Sequence, residues 1–379
     1  MSARTSNGPG ILTRIFGSQW FVSVLAVLIA FVIGAVLIAL SGASVLDAYY
    51  AMFRGSIIDP NAATFVRQIK PLTDSLFYSI PLIISGLGLA LGFRAGLFNI
   101  GGKGQIIVGA LAAVWVGFAV NLPPVVHTLV ALLVAIIAGG LYGGIAGVLK
   151  AKTGANEVIV TIMLNSIATL GLGYTLTQKA WQVPGSNQPV TPKVADSAAL
   201  ARLLPAPFKL HVGFIVALVA LAFFWWLIER STLGFQIRAV GANAAAARTA
   251  GISVERITAI TMVLSGAFLG LAGANEALGT IGYVSRDVAG SIGFDAITVA
   301  LLGRNKTWGT FGAGLLFGAF KAGGYTMQAK GVPIDMILIL QSVIVLLIAA
   351  PALVRWLFRL PDVRALAAQT RKGNADEHK

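Results

Sequence analysis

Ten apolar runs, most of them long enough to cross a bilayer, leave this 379-residue chain little choice of fold. The first is Trp20 to Leu40, and others follow at 73–93, 104–121, 124–149, 156–176, 211–229, 257–278, 291–303, 308–328 and 334–354. A helix needs roughly 20 apolar residues to span hydrocarbon. The eighth run is short and ends at Gly303-Arg304, which suits a half-helix or a tilted one. Only 11% of the residues are charged, against about 25% in a soluble domain. The expected fold is therefore an all-α polytopic membrane protein of about ten transmembrane helices. A signal peptide is the competing reading of the first run, since small residues follow near Ser41. Its apolar core would be only about 7–15 residues, so the run is read as a retained helix. The 44 glycines suit helices that approach closely through small residues.

Charge orients the spans. With the N-terminus inside, inner segments hold 18 of the 28 Lys and Arg residues, outer segments hold 9, and Lys321 falls within a span. That bias puts both termini in the cytoplasm. It divides the chain into a cytoplasmic N-terminal segment (1–19), a transmembrane domain (20–354) and a polar cytoplasmic tail (355–379), read as disordered after Pro361. The outer loop Thr177 to Leu210, with Trp181 and Phe208 as expected interface anchors, separates five spans from five. An odd number per half turns the second half upside down, the geometry of inverted repeats. A formal charge of +14 could suggest nucleic acid. The basic residues sit between apolar runs, however, and no nucleic-acid-binding pattern accompanies them. With no cysteine there is no thiolate nucleophile or Cys-type metal site.

Two polar stretches stand out. The first is the cytoplasmic segment 229–256, which carries Arg230, Arg238, Arg248 and Arg256 and cannot rest cheaply in hydrocarbon. Within it Asn243 is a good N-cap, Ala244 to Ala250 forms two turns of helix, and Gly251 can end it in the left-handed conformation. Ser253 and Glu255 read as the cap and acidic first turn of the next helix. Two turns do not hold a helix in water, so this one must dock on something. The residues alone also allow an ordinary loop. The second stretch is Phe93 to Gln105, FRAGLFNIGGKGQ, glycine-rich and polar between two spans. It reads either as a short inner loop anchored by Arg94 and Lys103, or as a broken helix lining a cavity, where irregular backbone is tolerated at membrane depth. Asn165, Glu157, Glu276, Asp295 and Lys321 are further polar residues in or near spans. Glu157 and Asp295 fall near helix N-termini, where the dipole favours a carboxylate. Lys321 can snorkel or pair with an acid.

The run LGFQIRAVGANAAAARTAGI resembles the cytoplasmic coupling segment of permease subunits from bacterial ABC importers for simple sugars, nucleosides and branched-chain amino acids. GLFNIGGKGQ resembles the GLFNIG-x-EGQ signature of the nucleoside-type subgroup, departing from it at Lys103, where glutamate is usual. NEVIVTIMLNSIA (156–168) and GFDAITVALLGRN (293–305) resemble the same subgroup, in the family's order. The resemblance implies a subunit of the bacterial cytoplasmic membrane whose short helix, with Gly241, Asn243, Ala244, Ala247, Arg248 and Gly251, couples to a cytoplasmic ATPase. It implies a broken second helix near a translocation path touched by Phe98, Asn99, Gln105 and Asn165. It also implies a second, related permease chain and an external substrate-binding lipoprotein as partners. No cofactor is expected on this chain, and ATP would be used by the partner. Neither Lys152-Thr153 nor Lys306-Thr307 has the glycine that a phosphate-binding loop places before lysine. A ribose-like sugar permease and a stand-alone secondary transporter are the rival readings.

The orientation is directly testable, because introduced cysteines have no native competitor in this chain. In intact cells Ala245→Cys should resist an impermeant thiol reagent and should react after permeabilisation; labelling of intact cells would reverse the topology.

Overall fold

Continuous apolar sequence predicts helices, and the computed structural model contains no strand among its described residues, only an isolated bridge between Arg202 and His211. Those residues are 19–186, 188–329, 331–333, 336, 338, 339, 342, 343, 346 and 347. The chain divides into two units: residues 51–326, and residues 1–50 with 327–379. In the latter, α1 (Gln19–Leu40) occupies the first predicted span, and the Tyr49 hydroxyl donates to the Phe31 carbonyl across an edge-on ring pair at 5.4 Å. Most of the tenth span, nearly all of the N-terminal segment and the whole tail lie outside the described residues.

The larger unit holds six helices long and apolar enough to cross a membrane. They are α3 (Phe65–Arg94), α4 (Gly102–Ala119), α5 (Val126–Thr153), α6 (Glu157–Thr175), α7 (Gly213–Arg230) and α10 (Val254–Asn275), which runs on as a π-helical segment to Ile281. Two further helices, α11 (Ile292–Leu302) and α12 (Thr307–Gln328), match the eighth and ninth runs, and the eighth is short as expected. Sequence reading missed α2 (Val45–Ser56), because Asp47 and Arg54 interrupt its apolar face. It also started α3 eight residues late. Arg67, Gln68 and Lys70 obscure the first turns, although Thr64 caps them by accepting from the Arg67 N–H at 3.4 Å.

At the centre stands α10, packed against α5, α4 and α3. The α5 contact is a seam of glycines spaced four apart, which places Gly139, Gly143 and Gly147 on one face. A Cβ on Gly143 would lie 2.6 Å from the Met262 carbonyl oxygen, and one on Gly139 would lie 2.5 Å from that of Gly266. Gly270 is enclosed on both sides, by Ala135 and Gly139 of α5 and by Gly109 of α4. Bare backbone therefore lets three helices meet where side chains would hold them apart.

The loop from Thr177 to Leu210 packs onto this bundle. Leu200 joins a buried cluster with Ala113, Val116, Ala131, Leu132 and Leu278, and its N–H donates to the Leu278 carbonyl at 3.1 Å. His127, fully buried, ties the loop's Ser197 hydroxyl (2.9 Å) to the Val116 carbonyl (2.9 Å). Trp181 stacks on Trp115 at 4.7 Å. Phe208, expected as an interface anchor, is instead buried at 7% exposure and packs inside the protein.

Overpacking a tight contact costs about 1–3 kcal/mol. Gly143→Val and Gly270→Val should each lower the thermal unfolding midpoint of the purified protein. Gly171→Val, at an α6 position with open space around it, should change it far less. Equal effects at all three sites would remove the seam's role.

Candidate functional site

The stretch Ala95–Gly101 breaks the chain between α3 and α4. At its start the Gly96 N–H donates to the Phe93 carbonyl (3.1 Å) and the Leu97 N–H to that of Gly92 (2.9 Å), with Gly96 left-handed at φ +73°. This is a Schellman termination, and it needs a residue that takes positive φ. The chain does not leave into solvent. A Cβ on Gly102, at the start of α4, would sit 3.5 Å from the Leu269 side chain. Leu269 lies fifteen residues along α10 from Val254, about 22 Å at 1.5 Å per residue. The break thus re-enters the bundle.

Side chains of α6 take up its freed backbone. Glu157, Thr161 and Asn165 follow one another at intervals of four and share a face. The Phe98 N–H donates to Glu157 Oε1 at 3.4 Å and the Ile100 N–H to Thr161 Oγ1 at 3.2 Å. Asn165 grips from both ends, donating to the Ile100 carbonyl and accepting from the Gly104 N–H, each at 2.8 Å. Lys150 holds Glu157 at 2.6 Å, so the carboxylate does more than cap the α6 dipole. Inside the break the amides of Asn99 and Gln105 bond each other at 3.0 and 3.3 Å. Asn99 also accepts from the Gly101 N–H at 2.9 Å and donates to Ser265 of α10 at 3.0 Å.

The four predicted path residues are therefore brought together at one place, but they differ in exposure. Asn99 and Gln105 are each 1% exposed, Asn165 is half-buried, and Phe98 is 39% exposed with its ring 4.8 Å from Phe93. Sequence reading missed Thr161 and Ser265. The E-x-x-x-T-x-x-x-N spacing of 157–165 was the available signal for the first; Ser265, far along the chain, gave none. Lys103 is half-buried and has no ion-pair partner among the described residues. Lys321 pairs with Asp295 at 3.7 Å.

The segment 229–256 contains two helices rather than one. Besides the expected α9 (Ala244–Thr249) there is α8 (Thr232–Ala242), capped by Ser231, whose hydroxyl accepts from the Gly234 N–H at 2.9 Å. Arg238 within α8 makes this stretch look like loop in the sequence. Asn243 caps α9 as expected, its side-chain oxygen accepting from the Ala246 N–H at 3.0 Å. Gly251 at φ +82° ends it, with the Gly251 and Ile252 N–H groups donating to Arg248 and Ala247 carbonyls at 3.0 Å. Ser253 caps α10, accepting from the Arg256 N–H at 3.4 Å. Arg248 pairs with Glu255 at 2.5 Å, but both are mostly exposed, so solvent screens the pair and it does little to hold the helix.

The α9 helix docks through one residue, Ala247, 4% exposed; Asn243, Ala244 and Arg248 face outward. Between α8 and α9 lies a groove of about 560 Å³ lined by Phe235, Gln236, Ala239, Ala246, Ala250 and Ile252. Gly241, near the end of α8, lies against the Arg94 carbonyl, where any Cβ would collide. The same Gly241 backbone is 3.5 Å from the Cβ position of Gly96. The α8–α9 helix pair and the break therefore touch.

Comparison with known proteins identifies the family. The family model described as branched-chain amino acid transport system / permease component matches residues 72–349. The guanosine ABC transporter permease protein NupP of Bacillus subtilis is 39% identical over 349 residues, covering 89% of this chain and 95% of that protein. The glucose ABC transporter permease protein TsgB13 of Haloferax volcanii is 35% identical, covering 85% of each chain. The nucleoside ABC transporter permease protein NupB of Lactococcus lactis is 31% identical, covering 92% of this chain and 94% of its own length. No solved structure matches. The chain is thus a multi-pass membrane protein that belongs to the branched-chain amino acid transport system permease family.

Proposed function

We propose that this chain is the membrane permease subunit of an ATP-driven importer of nucleosides. As a permease component it is a transport subunit without an ATPase site of its own. The observation that carries the reading is the contact of Gly241 with the Arg94 carbonyl, which joins a capped, outward-facing helix to an irregular segment inside the bundle. A cytoplasmic ATPase engaging Asn243, Ala244 and Arg248 at the α8–α9 groove would push on the break through that contact. Gly251 ends the helix and Ala247 seats it.

In this reading the chain lies in the bacterial cytoplasmic membrane with both termini inside. Ten spans form two inverted five-helix halves beside a second, related permease chain. An external lipoprotein delivers the solute, and ATP is used by the ATPase alone. The path runs past the break, with Phe98 at its surface and Asn99, Gln105 and Asn165 holding its shape. Two of the relatives above are named for guanosine or nucleoside transport, which favours that substrate class. The glucose permease keeps a sugar as the second reading.

Three experiments test this. The Ala247 N–H donates to the Asn243 carbonyl at 3.0 Å, and Ala247→Pro would remove that bond at a cost of about 3 kcal/mol in a helix interior. The variant should insert normally yet lose uptake and substrate-stimulated ATP hydrolysis; normal uptake would remove the coupling role. In the complete complex, ATP-dependent uptake of labelled guanosine should be blocked by excess nucleoside and spared by excess ribose or glucose. Asn99→Leu, which orphans Gly101, Gln105 and Ser265, should slow uptake without preventing assembly. Sugar competition would move the assignment to the sugar branch, and uptake that survives ATP depletion but fails with a protonophore would indicate a secondary transporter.

A further inference from the structure

The polar groups of the break are spent on one another, but a second polar cluster in the larger unit is not. It is built by α3 (Asp74, Tyr78), the π segment after α10 (Glu276, Thr280), α11 (Asp295) and α12 (Lys321, Tyr325). The Tyr78 and Tyr325 rings lie 5.4 Å apart at 35°. Tyr78 also lies near Asp74 and Glu276, and Glu276 lies near Lys321 and the Thr280 hydroxyl. Lys321 also pairs with Asp295, whose carboxylate accepts from Ser291 at 2.6 Å.

Depth makes this cluster unusual. Tyr78 is sixteen residues from Arg94 along α3, about 24 Å, and Lys321 is fourteen residues beyond Thr307, about 21 Å. With Arg94 and Thr307 at the inner surface, both lie within the outer half of a hydrocarbon layer about 30 Å thick. Ionisable groups there face a cavity or a partner, because lipid solvates them poorly. Yet the cluster is open: Tyr325 is 46% exposed and the Lys321 side chain 31%. Hydrogen-bonding capacity is unused as well. Neither tyrosine hydroxyl has a hydrogen-bond partner among the described residues, and Asp74 Oδ1 is buried with none, its other oxygen being held by Lys70. Asn275, which leads into the π segment, is fully buried with neither amide atom partnered. A π turn in an otherwise regular helix is itself frequent at functional sites.

We propose that Tyr78, Tyr325, Asp74, Glu276 and Lys321 form a solute-binding wall of the translocation path, taking a planar heteroaromatic ring against the tyrosines and sugar hydroxyls on the carboxylates. The wall stands on the geometry, while the ligand class rests on the nucleoside reading above. Both tyrosine rings present faces on which a base can stack whatever its substitution, and the carboxylates accept from vicinal hydroxyls. Lys321 can donate to a base carbonyl while remaining neutralised by Asp295. The exposed side of Tyr325 is the free face of this wall. A solute leaving the external binding component must exchange the contacts it gives up for others, and this wall offers them at the outer entrance.

The test uses the complete complex in membranes. Tyr78→Cys and Tyr325→Cys should react with an impermeant thiol reagent added outside, read by mass on this chain, and guanosine should slow the reaction. Leu170→Cys, at a 75% exposed position on the apolar face of α6, should stay unlabelled. At saturating guanosine, Tyr325→Ala should slow uptake about tenfold, the loss expected for one base–ring contact, and Tyr325→Phe should keep at least half the rate. Failure of both tyrosine positions to label would overturn the wall, leaving this face covered by the partner permease. Labelling without protection, together with undiminished uptake in Tyr325→Ala, would overturn the ligand assignment while wild-type guanosine uptake upheld the importer reading. Absence of wild-type guanosine uptake would instead overturn the nucleoside class, and with it the ligand named here, while the labelling result still decided the wall.

Discussion

Backbone groups inside a bilayer have no water to turn to, and every feature around the break between α3 and α4 answers that constraint. Phe98, Ile100, Gly101 and Gly104 present four N–H groups and one carbonyl that no helix ladder satisfies, and each has a side-chain partner. A buried polar group left alone costs about 1–3 kcal/mol. Five of them would therefore cost about 5–15 kcal/mol, comparable to the whole net stability of a folded domain. The partners on α6 are thus a condition of the fold at this point. They also explain why Glu157, Thr161 and Asn165 stand four residues apart: one helix face must follow a chain that has left helical geometry.

The same saturation gives the break a defined shape, and shape is what a mechanical linkage needs. A loosely solvated loop would absorb a push by rearranging. A segment gripped at Phe98, Ile100 and Gly104 by a single helix moves with that helix or breaks several bonds together. Gly241 meets this segment through backbone alone, without a side chain that could change rotamer and yield. The glycine seam between α5 and α10 serves the same end deeper in the bundle, since close-packed backbone transmits displacement with little slack. The contacts that join Gly241 to the break, and α5 to α10, therefore leave little room for independent adjustment.

Local chemistry was legible in the sequence, and long-range partnership was not. The caps at Asn243 and Ser253 and the left-handed Gly251 follow from residue preferences within a few positions. The spans follow from apolar length, and so does the shortness of α11. The amphipathic α2 and α8 were missed because Asp47, Arg54 and Arg238 interrupt apolar runs that tertiary packing nevertheless makes helical. Asn99 and Gln105 were recognised as costly polar residues in an apolar setting. That they would face each other and Ser265, 166 residues away, depends on how α10 packs, which no local pattern encodes. Phe208 illustrates the opposite error: an aromatic at a span boundary looks the same in sequence whether it anchors to lipid or fills the underside of a folded loop.

A polar residue at membrane depth can therefore mean two different things, and its partners distinguish them. Asn99 spends its amide on four hydrogen bonds to three neighbours, so a passing solute would have to break existing bonds to engage it. Such a residue holds geometry. Tyr78 and Tyr325 have hydroxyls without a hydrogen-bond partner among the described residues, and Asp74 Oδ1 is likewise unpartnered there. Capacity of that kind, partly open on a face that lipid cannot solvate, is available to something that comes and goes. A transport path needs both sorts: saturated groups that keep the framework stiff, and unsaturated ones that exchange contacts with a solute without holding it long. Tyrosine suits the second task because a ring face gives attraction without a fixed charge. Asp295 offsets the charge of Lys321, so that pair presents no net charge on which an uncharged solute could be trapped.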